Sequence, residues 1–346
     1  METMRAVVKT KPGPGNIELR QVPIPKIGST DILVKIKACA VCGTDVHVKN
    51  WDPWAEKRMT PPSIMGHEFA GEVIEVGENV TTIKVGDIVS AETHVVCNTC
   101  EMCHYGHRHV CYNTKTIGVS RDGSFADYIA IPAENAYVCD PSIPVEVLSL
   151  LEPFGAGVHA VMEFPLALKT VAVIGCGPIG VMSIAAAKAV GASRVIAIEP
   201  NEKRAKLALE LGADELVDPM KCDVIKTIKD MTGGRGVDVV LEYSGNVGAM
   251  KAAMSYLKPE GKMAALGLPS KELSFDISEF VYRGLTLKGI AGRLMYDTWE
   301  QCGALLKKGV DISKVVTHVL PLEDFEEGLR LMETGECCKA VFKIND

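Results

Sequence analysis

The sequence predicts an α/β protein with an irregular β-barrel domain and a doubly wound parallel-sheet domain. Two observations carry this prediction. Short β-rich segments separated by Pro/Gly turns fill roughly the first 150 residues. From about Thr170 onward, buried strands alternate with helices, which is the pattern of a parallel sheet. With 346 residues, the chain is long enough to give each domain its own core.

The β-barrel prediction rests on four segments in the first part of the chain. They lie at residues 5–8, 32–38, 70–76 and 125–131, and each is rich in apolar and β-branched residues. Pro12-Gly13-Pro14-Gly15 is typical of a turn between such segments. We therefore expect short strands joined by tight turns over this part of the chain.

The parallel-sheet prediction rests on a regular succession of apolar strands and helices. The expected strands lie at residues 171–174, 194–198, 237–241 and 262–266. The expected helices begin at Pro178 and at residue 201, and a further helix near 299–308 precedes a final strand at 339–344. That final strand returns to the first domain. We therefore expect a discontinuous first domain of residues 1–155 and 294–346, interrupted by a nucleotide domain of residues 156–293.

Composition narrows the classes of function. The formal net charge of −7 is spread along the chain without basic blocks, which argues against a nucleic-acid or anionic-membrane partner. No apolar stretch reaches the roughly 20 residues that cross a bilayer, so we expect a cytoplasmic protein acting on small molecules. In a reducing compartment, the 12 cysteines are expected to be metal ligands or inert core residues rather than disulfides.

A glycine motif predicts a dinucleotide site. Gly175-Cys176-Gly177-Pro178-Ile179-Gly180 directly follows an apolar strand and opens an Ala-rich helix. In this pattern the first glycine permits a tight turn, the second lets the backbone approach a pyrophosphate, and the third lets helix and strand pack closely. The free N–H groups at the helix N-terminus favour an anion. Candidate cofactor contacts are therefore Gly175, Gly177, Ile179 and Gly180.

Two charged residues bear on which nucleotide binds. Glu199 ends the next expected strand, where an acid binds the ribose 2′-hydroxyl and repels the 2′-phosphate of NADP. NAD is therefore the expected cofactor. Arg204 lies about one helical turn further on, where it could instead accept a phosphate, pair with Glu199 or line the adenine pocket.

A cysteine cluster predicts a structural metal site at residues 95–113. Cys97, Cys100, Cys103 and Cys111 follow the spacing C-x2-C-x2-C-x7-C. Four thiolates can close a tetrahedral zinc site and leave no position for water. An iron–sulfur cluster is the alternative, but the Cys-Pro pair common in ferredoxin segments is absent because Tyr112 follows Cys111.

The order of the remaining motifs resembles a known family. Cys42-Gly43-Thr44-Asp45-x-His47, Gly66-His67-Glu68, the cysteine cluster, Glu152-Pro153 and the glycine motif are together similar to the zinc-containing medium-chain alcohol dehydrogenases. The similarity runs over essentially the whole chain. It implies a GroES-like catalytic domain, a Rossmann NAD domain, two zinc ions per chain, one catalytic and one structural, and a homotetramer.

The same resemblance implies roles for individual residues. The catalytic zinc would be held by Cys42, His67 and either Glu68 or Glu152, with one position open for an alcohol oxygen. Thr44 and His47 match the hydroxyl and imidazole of the family's proton relay. Asp45 would orient His67. Glu152 is also a candidate catalytic residue, and we expect Glu68 and Glu152 to exchange at the metal.

Several segments resemble the branch of the family that oxidises L-threonine. They include Trp51-Asp52-Pro53-Trp54-Ala55, Glu92-Thr93-His94 and Gly292-Arg293. If the chain belongs to that branch, the resemblance implies that His94 and Arg293 face the substrate. Residues expected at the nicotinamide end of the NAD site are Leu266, Gly267, Leu268, Ile290 and Ala291.

One segment departs from that branch. At residues 154–157 the chain has Phe-Gly-Ala-Gly, where the threonine enzymes usually have Leu-Gly-Asn-Ala. This leaves a polyol or diol dehydrogenase, acting on a sorbitol- or butanediol-like substrate, as an alternative. A catalytically silent nucleotide-binding relative is a more remote alternative. Such a protein has no need of an open metal site, yet this sequence retains the residues of one.

Overall fold

The computed structural model describes residues 2–345 and contains eighteen strands within that range. The strands are β1 Thr3–Lys9, β2 Ile17–Pro23, β3 Asp31–Ala40, β4 Ser63–Ile64, β5 Glu68–Val76, β6 Ile88–Ala91, β7 His94–Val95, β8 Lys115–Thr116, β9 Tyr128–Pro132, β10 Ala136–Val138, β11 Thr170–Ile174, β12 Arg194–Ile198, β13 Glu215–Val217, β14 Val237–Glu242, β15 Leu257–Ala265, β16 Thr286–Gly289, β17 Val316–Pro321 and β18 Lys339–Lys343.

Twelve α-helices connect these strands in the described range. They are α1 Gly43–Asn50, α2 Pro53–Glu56, α3 Glu101–His104, α4 Val145–Leu148, α5 Leu151–Met162, α6 Pro178–Ala189, α7 Glu202–Glu210, α8 Val224–Met231, α9 Val247–Tyr256, α10 Ile277–Tyr282, α11 Asp297–Lys307 and α12 Phe325–Thr334. Among residues 2–345, none of the helices is long and apolar enough to cross a membrane.

The chain forms two compact units. The first comprises Met1–Glu152 and Val316–Asp346, and the second comprises Pro153–Val315. Residues 153–155 and 294–315, which were expected in the first domain, therefore fall in the second unit. Two side chains of the longer segment contact other parts of the second unit: Lys308 Nζ lies 2.6 Å from the Ala189 carbonyl, and Lys314 Nζ lies 3.4 Å from a Glu210 carboxylate oxygen.

The first unit is built on a seven-stranded sheet. Its order is β10-β6-β5-β3-β18-β17, and β9 also pairs with β3. Val34 and Ile36 on β3 are buried, and Lys35 between them is only partly buried. The C-terminal strand β18 lies beside β3, and the ring of Phe342 meets that of Phe125 edge to face at 5.1 Å. The core therefore depends on both ends of the chain.

The second unit contains the predicted parallel sheet. Its six strands run in the order β13-β12-β11-β14-β15-β16, and every pairing is parallel. Four of the five residues of β11 and of β12 are buried, as expected for strands covered on both faces. The prediction of a Rossmann-type doubly wound sheet beside a β-rich domain is confirmed. Strand order reverses at β11, which places the glycine motif at the switch point where nucleotides bind.

Candidate active site

Cys42 is positioned by the turn between β3 and α1. It precedes α1 as its N-cap, and its backbone N–H donates to Asp45 Oδ2 at 2.9 Å. Asp45 is buried, and this burial raises the pKa of its carboxyl. The short Cys-x-x-Asp spacing thus lets one carboxylate fix the backbone of the cysteine.

Cys42, His67 and Glu68 come together in the first unit. Their candidate ligand atoms, one from each side chain, all lie within 4.8 Å of one another. His67 is buried, and its Nδ1 lies 4.0 Å from Asp45 Oδ1 and has no hydrogen-bond partner among the described residues. A thiolate, an imidazole and a carboxylate are the donor types that zinc prefers. An orphaned buried imidazole beside them fits a metal at this place.

A buried lysine also reaches this cluster. Lys339 Nζ on β18 lies 2.5 Å and 2.7 Å from the two carboxylate oxygens of Glu68. Burial lowers the pKa of Lys339, but the neighbouring Glu68 carboxylate raises it overall, whereas burial raises the pKa of the Glu68 carboxyl itself. Removing one partner of such a buried pair typically costs about 3–5 kcal/mol. Lys339 was not predictable as part of the site, because nothing in its local sequence distinguishes it from other strand lysines.

Glu152 lies outside the 4.8 Å cluster but lines a cavity with one of its members. The Thr93 hydroxyl donates to Glu152 Oε1 at 3.1 Å. The cavity has a volume of about 530 Å³, and its walls include Thr44, His67, His94 and Glu152. Four residues predicted from the sequence for metal binding, proton transfer or substrate binding therefore share one cavity of the first unit.

His47 lies on α1 beside an acid that the sequence analysis did not assign. Its Nδ1 is 2.6 Å from Asp52 Oδ2, and the imidazole is more than half exposed. Asp52 also caps α2 through the N–H groups of Trp54 and Ala55. These bonds outweigh its slight burial and lower the pKa of Asp52. The capping role of Asp52 could have been predicted from the Asp52-Pro53 pair, because Asp is typical of the N-cap position and Pro of the first helical position.

The two predicted substrate residues lie in different units. His94 is in the first unit, where its ring Nδ1 is 2.8 Å from Glu92 Oε1 and its backbone N–H donates to the same oxygen at 3.0 Å. Arg293 is buried in the second unit beside Gly155, where an added Cβ would lie 2.8 Å from the Arg293 Cδ. The buried Glu92 carboxylate therefore orients His94. The absence of a side chain at Gly155 leaves room for Arg293.

The segment that departs from the threonine-oxidising branch packs inside the second unit. Phe154 is fully buried and Ala156 nearly so. An added Cβ at Gly157 would lie 3.3 Å from the Ile179 carbonyl oxygen and closer still to Ser183 Oγ. These residues let α5 pack tightly on α6, and none of them lines the 530 Å³ cavity.

The four clustered cysteines form a compact sulfur site. Cys100 Sγ lies 3.6 Å from Cys103 Sγ and 3.8 Å from Cys111 Sγ, and Cys111 Sγ lies 3.5 Å from Cys97 Sγ. None of the twelve cysteines, all of which lie within residues 2–345, forms a disulfide. Hydrogen bonds from the Thr99 backbone and from Asn113 lower the pKa of Cys97 to about 5, whereas burial raises that of Cys103 to about 12. Four mutually close sulfurs fit one tetrahedral ion.

The glycine motif has the geometry that its spacing predicts. Gly175 follows β11 with φ +84°, a left-handed conformation that favours glycine, and Gly177 is the N-cap of α6. An added Cβ at Gly180 would collide with the Gly175 carbonyl. Ile179 lies in the first turn of α6. The backbone is therefore shaped for close approach by an anion at the helix N-terminus.

Glu199 and Arg204 line a second cavity, of about 630 Å³, together with Gly175 and Gly177. The Glu199 carboxylate is buried and accepts hydrogen bonds from Cys176 N at 2.7 Å and Asn201 N at 2.8 Å. Arg204 Nε is buried without a hydrogen-bond partner among the described residues. The structure brings these four predicted nucleotide residues together.

The five residues predicted for the nicotinamide end of the site follow β15 and β16 and do not line this cavity. Leu266 and Gly267 donate their N–H groups to the Glu242 carbonyl at 2.9 and 3.1 Å. Leu268 is largely exposed, Ile290 is buried and Ala291 is exposed. Glu242, which sequence reasoning missed, is a buried carboxylate at the end of β14, and Ser244 and Gly245 donate to its Oε1.

Family models match both units. The model described as alcohol dehydrogenase GroES-like domain matches residues 28–141, and the model described as zinc-binding dehydrogenase matches residues 178–308. Together they contain the cysteine cluster, His67 and Glu199.

Full-length relatives agree with these models. The chain is 48% identical over 341 residues to the L-threonine 3-dehydrogenase of Caldanaerobacter subterraneus subsp. tengcongensis, covering 98% of each chain. It is 44% identical over 346 residues to the L-threonine 3-dehydrogenase of Pyrococcus furiosus, covering 99% of each.

Solved structures share the architecture. The 2R,3R-butanediol dehydrogenase of Bacillus subtilis superposes with a TM-score of 0.90 at 31% identity, covering 99% of this chain and 100% of that one. A Sinorhizobium meliloti 1021 protein crystallised with NADP gives a TM-score of 0.92 at 28% identity over the same shares. The chain therefore belongs to the zinc-containing medium-chain alcohol dehydrogenase family.

Proposed function

We propose that this enzyme oxidises the C3 hydroxyl of L-threonine with NAD, giving 2-amino-3-oxobutanoate and NADH. The observation that carries the proposal is the Cys42–His67–Glu68 donor cluster beside a cavity that also holds Thr44, His94 and Glu152. The two L-threonine 3-dehydrogenases described above, 48% and 44% identical over nearly the full length, support the choice of substrate.

Two zinc ions per chain complete the proposal. Cys42, His67 and one of Glu68 or Glu152 hold the catalytic ion, which supplies a Lewis acid that lowers the pKa of the substrate hydroxyl. The sulfurs at Cys97, Cys100, Cys103 and Cys111 hold the second ion and leave it no open position. That ion stabilises a lobe with little apolar material of its own.

The chain's own residues move the proton and orient the imidazole. The hydroxyl proton of threonine passes to Thr44 and on to His47, from which it reaches solvent. Asp52 holds His47 through Nδ1, which leaves Nε2 for the relay. The hydrogen on C3 leaves with its electron pair to the nicotinamide, so the alcohol loses two electrons and NAD gains them.

NAD rather than NADP is the proposed cofactor. The Glu199 carboxylate already accepts two backbone hydrogen bonds, which hold it in the nucleotide cavity, and its charge disfavours a 2′-phosphate. Arg204 lines the same cavity. We assign it to the adenine end of the site.

Recognition of an amino acid requires partners for an ammonium and a carboxylate. His94, held by the buried carboxylate of Glu92, and Glu152 line the 530 Å³ cavity. They are the proposed contacts of the threonine amino acid group.

A homotetramer is the proposed assembly. All four residues of β16 are exposed, and β16 is the edge strand of a sheet whose central strands β11, β12 and β14 are mostly buried. Ile277, Val281 and Tyr282 on the neighbouring α10 are exposed as well. An exposed edge with apolar side chains beside it is suited to pairing with a second copy of the chain.

The deciding experiment measures NADH formation by zinc-loaded protein with L-threonine, sorbitol and 2,3-butanediol. We expect turnover of L-threonine and little turnover of the uncharged polyols. The similarity to 2R,3R-butanediol dehydrogenase favours a diol as the second candidate. Preference for 2,3-butanediol would overturn the threonine assignment and keep the metal and NAD assignments.

A further inference from the structure

The cavity of about 530 Å³ in the first unit carries two cations to which the proposed function gives no role. Arg58 and Lys115 are exposed side chains in its wall, whereas His67 of the donor cluster is buried. The cavity therefore leads from the donor cluster to solvent. Glu152 is the one carboxylate among the described residues that line it. An uncharged diol offers nothing to either cation, whereas an amino acid brings a carboxylate.

Arg58 is held in place without using its charge. Its backbone N–H donates to the Ala55 carbonyl at 3.0 Å, just after α2. Its guanidinium carbon lies over the Trp54 ring, 5.0 Å from the ring centre, and Nη1 lies 3.4 Å from the Trp54 carbonyl oxygen. No acid among residues 2–345 forms an ion pair with it. A guanidinium placed on an aromatic face keeps N–H donors at its edge, where they can meet an anion.

The ring beneath Arg58 is itself fixed by the turn that holds His47. Asp52 Oδ1 accepts the Trp54 N–H at 3.0 Å, and the other oxygen of this carboxylate contacts His47 at 2.6 Å. The rings of Trp54 and His47 lie 5.9 Å apart. One carboxylate therefore orients both the proposed proton relay and the residue on which Arg58 rests.

Lys115 has no comparable support. Its ammonium makes no hydrogen bond, ion pair or ring contact with another residue in the range 2–345. A lysine is a flexible point charge, whereas the planar fork of an arginine matches a carboxylate and loses less freedom when it binds one. Of the two cations, Arg58 is therefore the one prepared for a carboxylate.

We propose that Arg58 binds the carboxylate of the substrate and so sets the specificity of the enzyme for 2-amino-3-hydroxy acids over uncharged alcohols. Two guanidinium N–H groups can donate to the two carboxylate oxygens in one plane. The carboxylate then lies at the solvent side of the cavity and the hydroxyl at the donor cluster. This inference rests on the proposed function, because it assumes that an amino acid occupies the cavity.

The test removes the charge from the enzyme and, separately, from the substrate. L-Threoninamide keeps the C3 hydroxyl and the amino group of L-threonine, but a neutral amide replaces its carboxylate. We compare kcat/KM for both compounds in the zinc-loaded parent and in Arg58→Met. For L-threonine it should fall by roughly 10- to 100-fold, mainly through KM, as expected for the loss of a hydrogen bond between charged groups. For L-threoninamide it should change little.

Lys115→Met is the matched control, because it removes the other cation from the same wall. It should keep the preference of the parent for L-threonine over L-threoninamide. Arg58→Lys keeps the charge but loses the paired donors. Its kcat/KM for L-threonine should therefore fall between the values for the parent and for Arg58→Met.

A preference for L-threonine that survives in Arg58→Met would overturn the inference, and so would its loss in Lys115→Met instead. Equal losses with L-threonine and L-threoninamide in Arg58→Met would show that Arg58 shapes the cavity and does not bind the carboxylate. All three results leave the proposed function standing. A parent that oxidises 2,3-butanediol but not L-threonine would contradict the proposed function and this inference together.

Discussion

At the scale of single residues, the site depends on carboxylates that hold other groups in place. Asp45 accepts the Cys42 N–H, Asp52 contacts His47, Glu92 contacts His94 and Glu199 accepts two N–H groups of the nucleotide turn. Each fixes a neighbour by hydrogen bonds that water would otherwise make. The groups proposed to meet substrate and cofactor are thus held in place before either binds.

Replacing Cys42 by Ser should abolish threonine oxidation and leave the fold intact. The hydroxyl is a poorer zinc ligand than a thiolate, whereas the four clustered cysteines are a separate set of donors. Metal analysis should therefore fall from about two zinc ions per chain to about one. Loss of both ions, or unfolding by circular dichroism, would contradict the assignment of the catalytic and structural sites.

Replacing His47 by Gln should slow oxidation most at low pH. Glutamine cannot carry the proton onward, and hydroxide in solution can substitute for the relay only as the pH rises. The measurement is kcat as a function of pH for the parent and His47→Gln. His107→Gln, at an exposed histidine of the cysteine lobe, is the control and should match the parent. A uniform loss at every pH would remove His47 from the relay.

Replacing Glu199 by Ala should relax the preference for NAD. The change removes the charge that repels a 2′-phosphate and frees the N–H groups of Cys176 and Asn201. The ratio of kcat/KM for NADP to that for NAD should therefore rise, by about tenfold for each 1.4 kcal/mol of differential binding. Glu202→Ala, at an exposed acid on α7, should leave the ratio unchanged. Unaltered discrimination in Glu199→Ala would place selectivity elsewhere.

At the scale of elements, the cysteine lobe is stabilised by its sulfurs rather than by regular structure. Between Cys97 and Cys111 it contains only the one-turn helix α3 and a short 3-10 turn at Arg108–Val110. So little hydrogen-bonded backbone cannot hold a loop by itself. A bound ion would contribute most of the stability of this lobe.

Zinc in this lobe should become harder to retain as the pH falls. Without metal, burial raises the pKa of the Cys103 thiol to about 12, so zinc must displace its proton, and zinc affinity rises with pH. Acidification in the presence of a chelator should release this ion and increase hydrogen exchange at residues 97–111. Cys103→Ser should also lose this zinc ion and show the same increase in hydrogen exchange. Cys139→Ser, at a buried thiol whose pKa is also raised to about 12, should retain the ion.

Elements with regular local patterns were predictable from sequence, and those defined by distant partners were not. The strand Arg194–Ile198 has the predicted bounds, and the helix predicted to begin at residue 201 spans Glu202–Glu210, with Asn201 as its cap. The strand predicted at 125–131 begins instead at Tyr128, because Phe125 bonds to Val7 and Met65 outside regular pairing.

The residues of the candidate site also divide into those that local sequence motifs predicted and those that only the fold reveals. Cys42, His67 and the four clustered cysteines were found because each lies in a short motif with metal-ligand spacing. Lys339, Glu92 and Glu242 were missed, because their roles come from residues brought near them by folding. Strand β16 was also missed. Its four residues are all exposed, so the sequence lacks the apolar run that marked its neighbours.

At the scale of the whole molecule, the exposed edge strand β16 and the exposed apolar residues of α10 predict that the chain associates with further copies of itself. Val281→Glu places a charge in the α10 face and should shift the assembly to smaller species in light scattering after size exclusion. Leu209→Glu is the control, since Leu209 is an exposed apolar residue on a different helix, α7. A parent protein that is monomeric, or an unchanged assembly in Val281→Glu, would contradict the proposed interface.

The insertion of β18 beside β3 also sets an order on biosynthesis. A growing chain exposes residues in sequence, at about 5–20 residues per second, and N-terminal domains usually fold first. Here residues 153–315 are contiguous and can fold as soon as they emerge, whereas residues 1–152 await the strand that carries Lys339. Until then Glu68 has no ammonium partner and the edge of β3 is open. The N-terminal half of this protein is therefore the last to become native, and a nascent chain halted before residue 339 would be a client for chaperones.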